Sequence, residues 1–426
     1  MQPWFPDAKL GIFIHYGIYA VKGIPESWSF LNGEIGYDDY MSQLSGFTAS
    51  KYDPDAWCDL FVRAGAKYAV LTTKHHDGVA LWDTAASELS VVKKTPAGRD
   101  LLGPYVDACR KRGLKVGFYF SHLDWSHPDY ATILPRLLRE KPATGGEWNE
   151  NPFSYCRPGE EDPARWANFI KFHRAQLEEL CTRFGAVDVL WFDGEWERDP
   201  EQFDMLGPRE QLLKWQPNCI FNGRLAGCGD YATPEQGIPI LPPEGPWEFC
   251  VTINDSWGYQ VQDHNHKSVR QIVRLFAETI GMGGNMLLDV GPYEDGRLQP
   301  EQVDRLEGLG TWIHANAEAI YGTKAGLPAG LFYGASTLSK DDRTLYLMFF
   351  DRPLDQIAVK GLRTPVKRVT ALKDGTELKS KRIGGLGETP GVLWIDVPDD
   401  VVDPLATVLK LESVRPIDLY LGRGRR

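Results

Sequence analysis

The stretch 188-DVLWFDGEWE-197 sets Asp188, Asp193, Glu195 and Glu197 around a block of large apolar residues. Side chains alternate along a strand, so Val187, Val189, Trp191 and Asp193 share one face. A carboxylate closing an apolar strand is costly unless it is hydrogen-bonded or used. Asp193 is therefore the candidate reacting acid. Asp188 points the other way, and Glu195, Glu197 and Asp199 fall on the following loop, where solvation is expected. Other polar residues close other apolar runs: His15, His75 and His76, His122 with Asp124, Arg224, and Asp255 near Trp257.

One fixed carboxylate among histidines suits two chemistries. Retaining glycoside hydrolysis needs a second carboxyl group about 5–5.5 Å from the first. Metal-assisted hydrolysis needs converging ligands. His75 and His76 are adjacent and should point apart on a strand, and His264 and His266 fall in a loop, so no metal is expected. Phosphate-loop and dinucleotide fingerprints are absent, since 281-GMGG-284 does not open a helix, and no G-x-S-x-G elbow occurs. No cofactor is expected.

The elements that must hold these residues alternate. Apolar runs at 9–17, 68–76, 115–125, 187–194, 219–225, 249–255 and 284–292 end in polar residues or Gly, as buried parallel strands do. Helical patterns at 54–66, 99–113, 165–185 and 299–322 lie between them. This alternation predicts an α/β fold: a (β/α) barrel of seven or eight strands, with the site at the strand C-termini. After residue 325 the helical period stops. Segments 344–350, 356–362, 367–372, 392–397 and 406–411 read as a C-terminal antiparallel β-sandwich. The expected division is a catalytic barrel over 1–325 and a sandwich over 326–426.

A net charge of −11 offers no basic face to phosphates, so nucleic acid and anionic membrane are not expected partners. Fourteen Trp and seventeen Tyr supply a core and also rings for stacking on sugars. Seven Cys without a C-x-x-C pair read as free thiols. No window of 18 apolar residues suggests a membrane span, and the N-terminus has no basic-then-apolar leader. A secreted or periplasmic protein whose leader has been removed, and a cytoplasmic one, both fit. Nothing in the sequence bears on oligomeric state.

The sequence resembles the retaining α-L-fucosidases of glycoside hydrolase family 29. The resemblance is carried by 9-KLGIFIHYGIYAV-21, 65-GAKYAVLTTKHHDGVALW-82, 114-LKVGFYFSHLDW-125, 188-DVLWFDG-194, 231-YATPEQ-236, 256-SWGY-259, 283-GGNMLLDVGP-292 and 317-AEAIYG-322. It implies release of terminal α-L-fucose from fucosylated oligosaccharides or glycoconjugates. It implies that Asp193 is the nucleophile, that His15, His75 and His76 bind sugar hydroxyls, and that Trp191 and Arg224 line the pocket. Trp257 would face the C6 methyl that separates fucose from galactose. The acid/base varies within the family; Glu235 matches the glutamate used in several members, with Glu195 and Glu248 as alternatives.

Many members carry Glu-Trp-Tyr after the first strand, whereas 26-ESWSF-30 interposes Ser27 between Glu26 and Trp28. Trp28 keeps the stacking role in this reading, and Glu26 reaches a hydroxyl. The tyrosine that some members supply before LWFDG has no evident counterpart; Trp166 and Phe169 lie nearby. The rim segments 139–155 and 238–245 are expected to set linkage. Three alternatives stay open: another 6-deoxy or galacto-configured sugar, a fucose-binding protein without turnover, and a metal hydrolase using His75, His76 or His264.

Overall fold

The structure, a computed structural model, describes residues 1–130 and 162–422; the rim segment 139–155 lies outside the described residues. Seven parallel strands form one curved sheet: β1 (Leu10–Ile14), β2 (Tyr68–Lys74), β3 (Lys115–Ser121), β4 (Val189–Asp193), β5 (Ile220–Phe221), β6 (Glu248–Thr252) and β7 (Asn285–Val290). Their order is β5-β4-β3-β2-β1-β7-β6. Almost every strand residue is buried, because helices cover the outer face and side chains fill the inner one. Alternation divides the strands. Phe13, Val70, Tyr119, Val189, Trp191, Cys250 and Leu287 meet inside the barrel. Ile12, Leu71, Phe118, Leu190, Phe249 and Leu288 pack outward with the helices. Asp193 is the next inward position after Trp191 and therefore sits at the mouth.

The covering helices begin where the sequence provides caps. Asp53 accepts from the Ala56 N–H at 3.0 Å to start Pro54–Arg63. Ser268 and Gln271 close a reciprocal box at the start of Val269–Gly281. Among the described residues, no helix is long and apolar enough to cross a membrane.

The fifth run is much shorter as a strand than the predicted 219–225. Asn222 replaces the ladder with its side chain. Its Oδ1 accepts from the Phe192 N–H at 2.8 Å, and its Nδ2 donates to the Phe192 carbonyl at 2.9 Å. The main chain is thereby free to turn at Gly223 and send Arg224 inward. Among the described residues the parallel sheet has no eighth strand. Instead residues 231–236 span the gap between β5 and β6 through parallel bridges Asn222–Tyr231, Ala232–Trp247 and Glu235–Cys250. That irregular closure delivers Glu235 to the rim.

The C-terminal part forms two antiparallel sheets, β12-β15-β10-β9-β8 and β11-β14-β13. The strands are β8 (Thr323–Ala325), β9 (Ala335–Ser339), β10 (Thr344–Phe349), β11 (Gln356–Val359), β12 (Val366–Ala371), β13 (Ser380–Leu386), β14 (Thr389–Asp396) and β15 (Thr407–Ser413). A separate apolar core, with Leu345, Leu347, Val359, Ile395 and Leu411, lies between the sheets. The prediction lacks β8, β9 and β13. Strand β13 is exposed along its whole length and includes Gly384 and Gly385, so it carries no alternation to read.

Candidate active site

The inward strand ends converge on a cavity of about 210 Å³. This is below the roughly 300–1,000 Å³ of pockets for drug-sized ligands and suits a single small ring. Asp193 lies on its floor, 8 % exposed. Arg224 donates from Nη1 to Asp193 Oδ1 at 2.6 Å, and Tyr119 donates its O–H to Oδ2 at 2.8 Å. The second Nη of Arg224 donates to Glu235 Oε2. Burial works against the Arg224 charge, but Asp193 and then Glu235 more than offset it and raise its pKa. The guanidinium also lies over the Trp191 ring, 4.6 Å from the centroid. Trp191 is held in turn by a 2.9 Å bond from Nε1 to Glu248 Oε1.

The three histidines each have a fixed back side. His15 Nδ1 lies 2.6 Å from Asp289 Oδ1, His75 Nδ1 2.6 Å from Ser27 Oγ, and His76 Nδ1 2.6 Å from Ser121 Oγ. Burial, as the leading cause, holds all three rings well below the usual histidine pKa and hence neutral. His75 and His76 both line the cavity. The expectation that they point apart fails because β2 ends at Lys74 and the chain turns, with the Gly78 N–H on the His75 carbonyl at 3.1 Å. Trp28, Trp196, Trp257 and Phe13 complete the walls. Two carboxyl groups, one buried and one at the mouth, therefore face a sugar-sized hollow ringed by aromatic faces and neutral imidazoles.

The family model for alpha-L-fucosidase matches residues 1–318. The chain belongs to the α-L-fucosidase family. It is similar to the tissue alpha-L-fucosidase of Bos taurus, with 32% identity over 76% of this chain and 69% of that protein. Among solved structures it resembles alpha-L-fucosidase isoenzyme 1 from Paenibacillus thiaminolyticus, at 34% identity and TM-score 0.81, covering 96% of this chain and 98% of that one. It also resembles a family 29 enzyme from Bacteroides thetaiotaomicron, trapped as a covalent intermediate with 2-fluoro-fucosyl fluoride. That match has 26% identity and TM-score 0.79, over 96% of this chain and 94% of that one. The chain is a glycoside hydrolase, a retaining α-L-fucosidase, and its substrates are fucosylated glycans.

In this fucosidase nine of the ten residues singled out from sequence line one cavity: His15, Trp28, His75, His76, Trp191, Asp193, Arg224, Glu235 and Trp257. Glu26 does not line it. Its Oε1 accepts the Gly258 N–H at 2.5 Å and so braces the turn that carries Trp257. Glu248 is fully buried under Trp191 and Tyr68, remote from the mouth. The loop acids are not uniformly solvated. Asp199 is exposed, but Glu195 is half-buried and Glu197 is buried, accepting from Trp125 Nε1 at 3.1 Å and from the Tyr130 hydroxyl.

His122 is also withdrawn. It contacts His173 and the Arg224 carbonyl oxygen, and burial pushes its pKa down to about 3. The sequence reading missed Phe13, Tyr119 and Trp196. Alternation along β3 was the available signal for Tyr119, which sits two residues before the inward Ser121. Trp166 packs against Arg198 and Phe169 instead of the cavity.

Proposed function

We propose that Asp193 is the nucleophile and Glu235 the acid/base of a double displacement on terminal α-L-fucosides. The observation that carries this is Arg224, whose two ends hold one carboxyl group each. Two acids spanned by one guanidinium suit the roughly 5–5.5 Å separation of a retaining pair. Asp193 attacks the anomeric carbon while Glu235 gives its proton to the departing oxygen. A β-linked fucosyl ester and the free aglycone alcohol result. Glu235, now ionised, takes a proton from water, which attacks the same carbon, releases Asp193 and restores the α configuration. Tyr119 and Arg224 each hold one oxygen of Asp193 and so keep the carboxyl group aimed. The buried nucleophile and the exposed acid fit this order, because the leaving group departs through the mouth.

His15, His75 and His76 bind the sugar hydroxyls, with Trp28 as a stacking wall. Trp257, which lies 5.0 Å from the His15 ring and 5.9 Å from Phe13, supplies an apolar face for the C6 methyl. The rim segment 238–245, with Ile240 and Leu241 exposed, is assigned to the aglycone side and to linkage choice. Catalysis belongs to residues 1–325 in this assignment. Residues 326–426 form the accessory sandwich, with β8 paired to its first sheet.

Azide tests the roles on 4-nitrophenyl α-L-fucoside. Asp193→Gly should lose nearly all turnover and, with azide, give the β-fucosyl azide. Glu235→Ala should be rescued to the α-fucosyl azide. Rescue to the α product in Glu195→Ala, with none in Glu235→Ala, would move the acid/base to Glu195.

A further inference from the structure

We infer that Ser121 fixes His76 in its Nδ1–H form, so that Nε2 faces the cavity as a hydrogen-bond acceptor and takes the 2-hydroxyl of fucose. The second half of this inference rests on Asp193 as the nucleophile; the first half does not.

The direction follows from counting protons. Ser121 Oγ lies 2.9 Å from the Leu123 carbonyl oxygen and 2.6 Å from His76 Nδ1. A carbonyl can only accept and a hydroxyl has one proton, so both contacts are hydrogen bonds only when that proton goes to Leu123. Ser121 Oγ then has only lone pairs left for His76, and the ring nitrogen must be the donor. Ser121, His76 and Leu123 are all buried, so leaving either contact unpaired would be costly.

Burial first, then Lys74, His15 and Arg224, holds the ring well below the ordinary histidine pKa. A neutral imidazole has one N–H. With that N–H on Ser121, Nε2 is a bare lone pair. The neighbouring His75 differs: the hydroxyl of its partner Ser27 has both the ring and Tyr40 within reach, and Ser27 also accepts the Asp77 N–H at 2.9 Å.

The second half comes from what faces Nε2. Asp193 Oδ2 is 3.7 Å away, too far for a hydrogen bond, and it already accepts from Tyr119. Two acceptors side by side at the floor of a cavity need a donor between them. The carbon under attack sits beside that carboxylate. Of the two groups attached next to it, the ring oxygen cannot donate, and C2 carries a hydroxyl. A bond from that hydroxyl tightens as the oxocarbenium-like transition state forms. Ser121 touches no substrate. It is a positioning residue that decides whether His76 accepts or donates.

Two measurements test this. In protein labelled with 15N in the imidazole rings, the His76 signals are identified by their loss in His76→Gln. At neutral pH Nδ1 should be protonated and Nε2 bare. A protonated Nε2 beside a bare Nδ1, or a doubly protonated ring, overturns the assignment; this spectrum does not depend on which residue is the nucleophile. In the second, Ser121→Ala should lower kcat/KM on 4-nitrophenyl α-L-fucoside about tenfold, mainly through kcat, the size of one lost hydrogen bond. On the 2-deoxy analogue the parent and Ser121→Ala should agree within about twofold. An equal loss on both substrates would mean that Ser121 acts by packing alone, and would overturn the link to the 2-hydroxyl. If Asp193→Gly remains active while the His76 tautomer is as stated, the nucleophile assignment fails and the Ser121 lock stands.

Discussion

Tyr119 donates its phenolic proton to Asp193 Oδ2 at 2.8 Å from the neighbouring strand. Burial foremost, then the Asp193 charge, lifts the phenol well above its usual pKa, so it remains a donor throughout the working range. The bond orients one carboxylate oxygen while Arg224 holds the other. Tyr119→Phe keeps the ring but removes the proton. A hydrogen bond to a charged group is worth about 1.5–3 kcal/mol. The variant should therefore fold normally and lose about 10- to 100-fold in kcat on 4-nitrophenyl α-L-fucoside. A kcat equal to the parent's would remove Tyr119 from the site's working parts.

Asn222 holds both halves of the site through one backbone position. Its amide satisfies the N–H and C=O of Phe192, immediately before Asp193, and lies two residues before Arg224. Asn222→Ala should leave both Phe192 groups buried and unpaired. The expected loss is about 2–4 kcal/mol in denaturant unfolding, with reduced kcat as well. Asn222→Asp keeps the acceptor for the Phe192 N–H and should fall between the two.

Glu248 makes stability depend on pH. Burial pushes its carboxyl up to about 7 despite bonds from Tyr68 and Trp191. An unfolded glutamate titrates near 4.3, so between roughly pH 4.3 and 7 the folded state keeps a proton that the unfolded state releases. Stability from this group is then full below that window and falls as pH rises through it, by on the order of 3 kcal/mol. Glu248→Gln, which mimics the protonated acid, should show a flatter thermal midpoint between pH 5 and 7 than the parent. Parallel curves for the two proteins would contradict the assignment.

Trp257 should set the preference for a 6-deoxy sugar. Its ring is half-buried, packed against His15 and Phe13, and backed by the Glu26–Gly258 bond. A methyl-sized apolar contact contributes about 1–3 kcal/mol of discrimination. Trp257→Ala should reduce the ratio of kcat/KM for 4-nitrophenyl α-L-fucoside over the α-L-galactoside, which shares its ring configuration and differs by one hydroxyl at C6, by about tenfold or more. An unchanged ratio would place the methyl group elsewhere.

Much of the site was legible because barrel catalysis uses strand ends, and strand ends are local features. Asp193 follows Trp191 and Val189 on one alternating face, and that spacing survives folding. His15 and Arg224 were found by the same logic. His75 and His76 stand at a strand end too, but they would diverge only if the strand continued through them, and it stops at Lys74. Glu197 was misjudged as solvated because nothing near it in sequence reveals Trp125 and Tyr130 closing over it. Strand β13 was invisible because exposed positions and paired glycines carry no apolar period.

The sequence by itself determined the alternation of strands and helices, the change to antiparallel strands near residue 325, and the placing of His15, Asp193 and Arg224 where strands end at the barrel mouth. Each follows from periodicity within a few neighbouring residues. Only the tertiary structure decided that Tyr119 serves Asp193, that Asn222 substitutes for a strand, that Glu26 grips Gly258 rather than sugar, and which way the His76 ring is protonated. Those contacts join positions 30 to 232 residues apart. Their directions depend on which buried group has a proton left to give, and that is settled only when the strands are side by side.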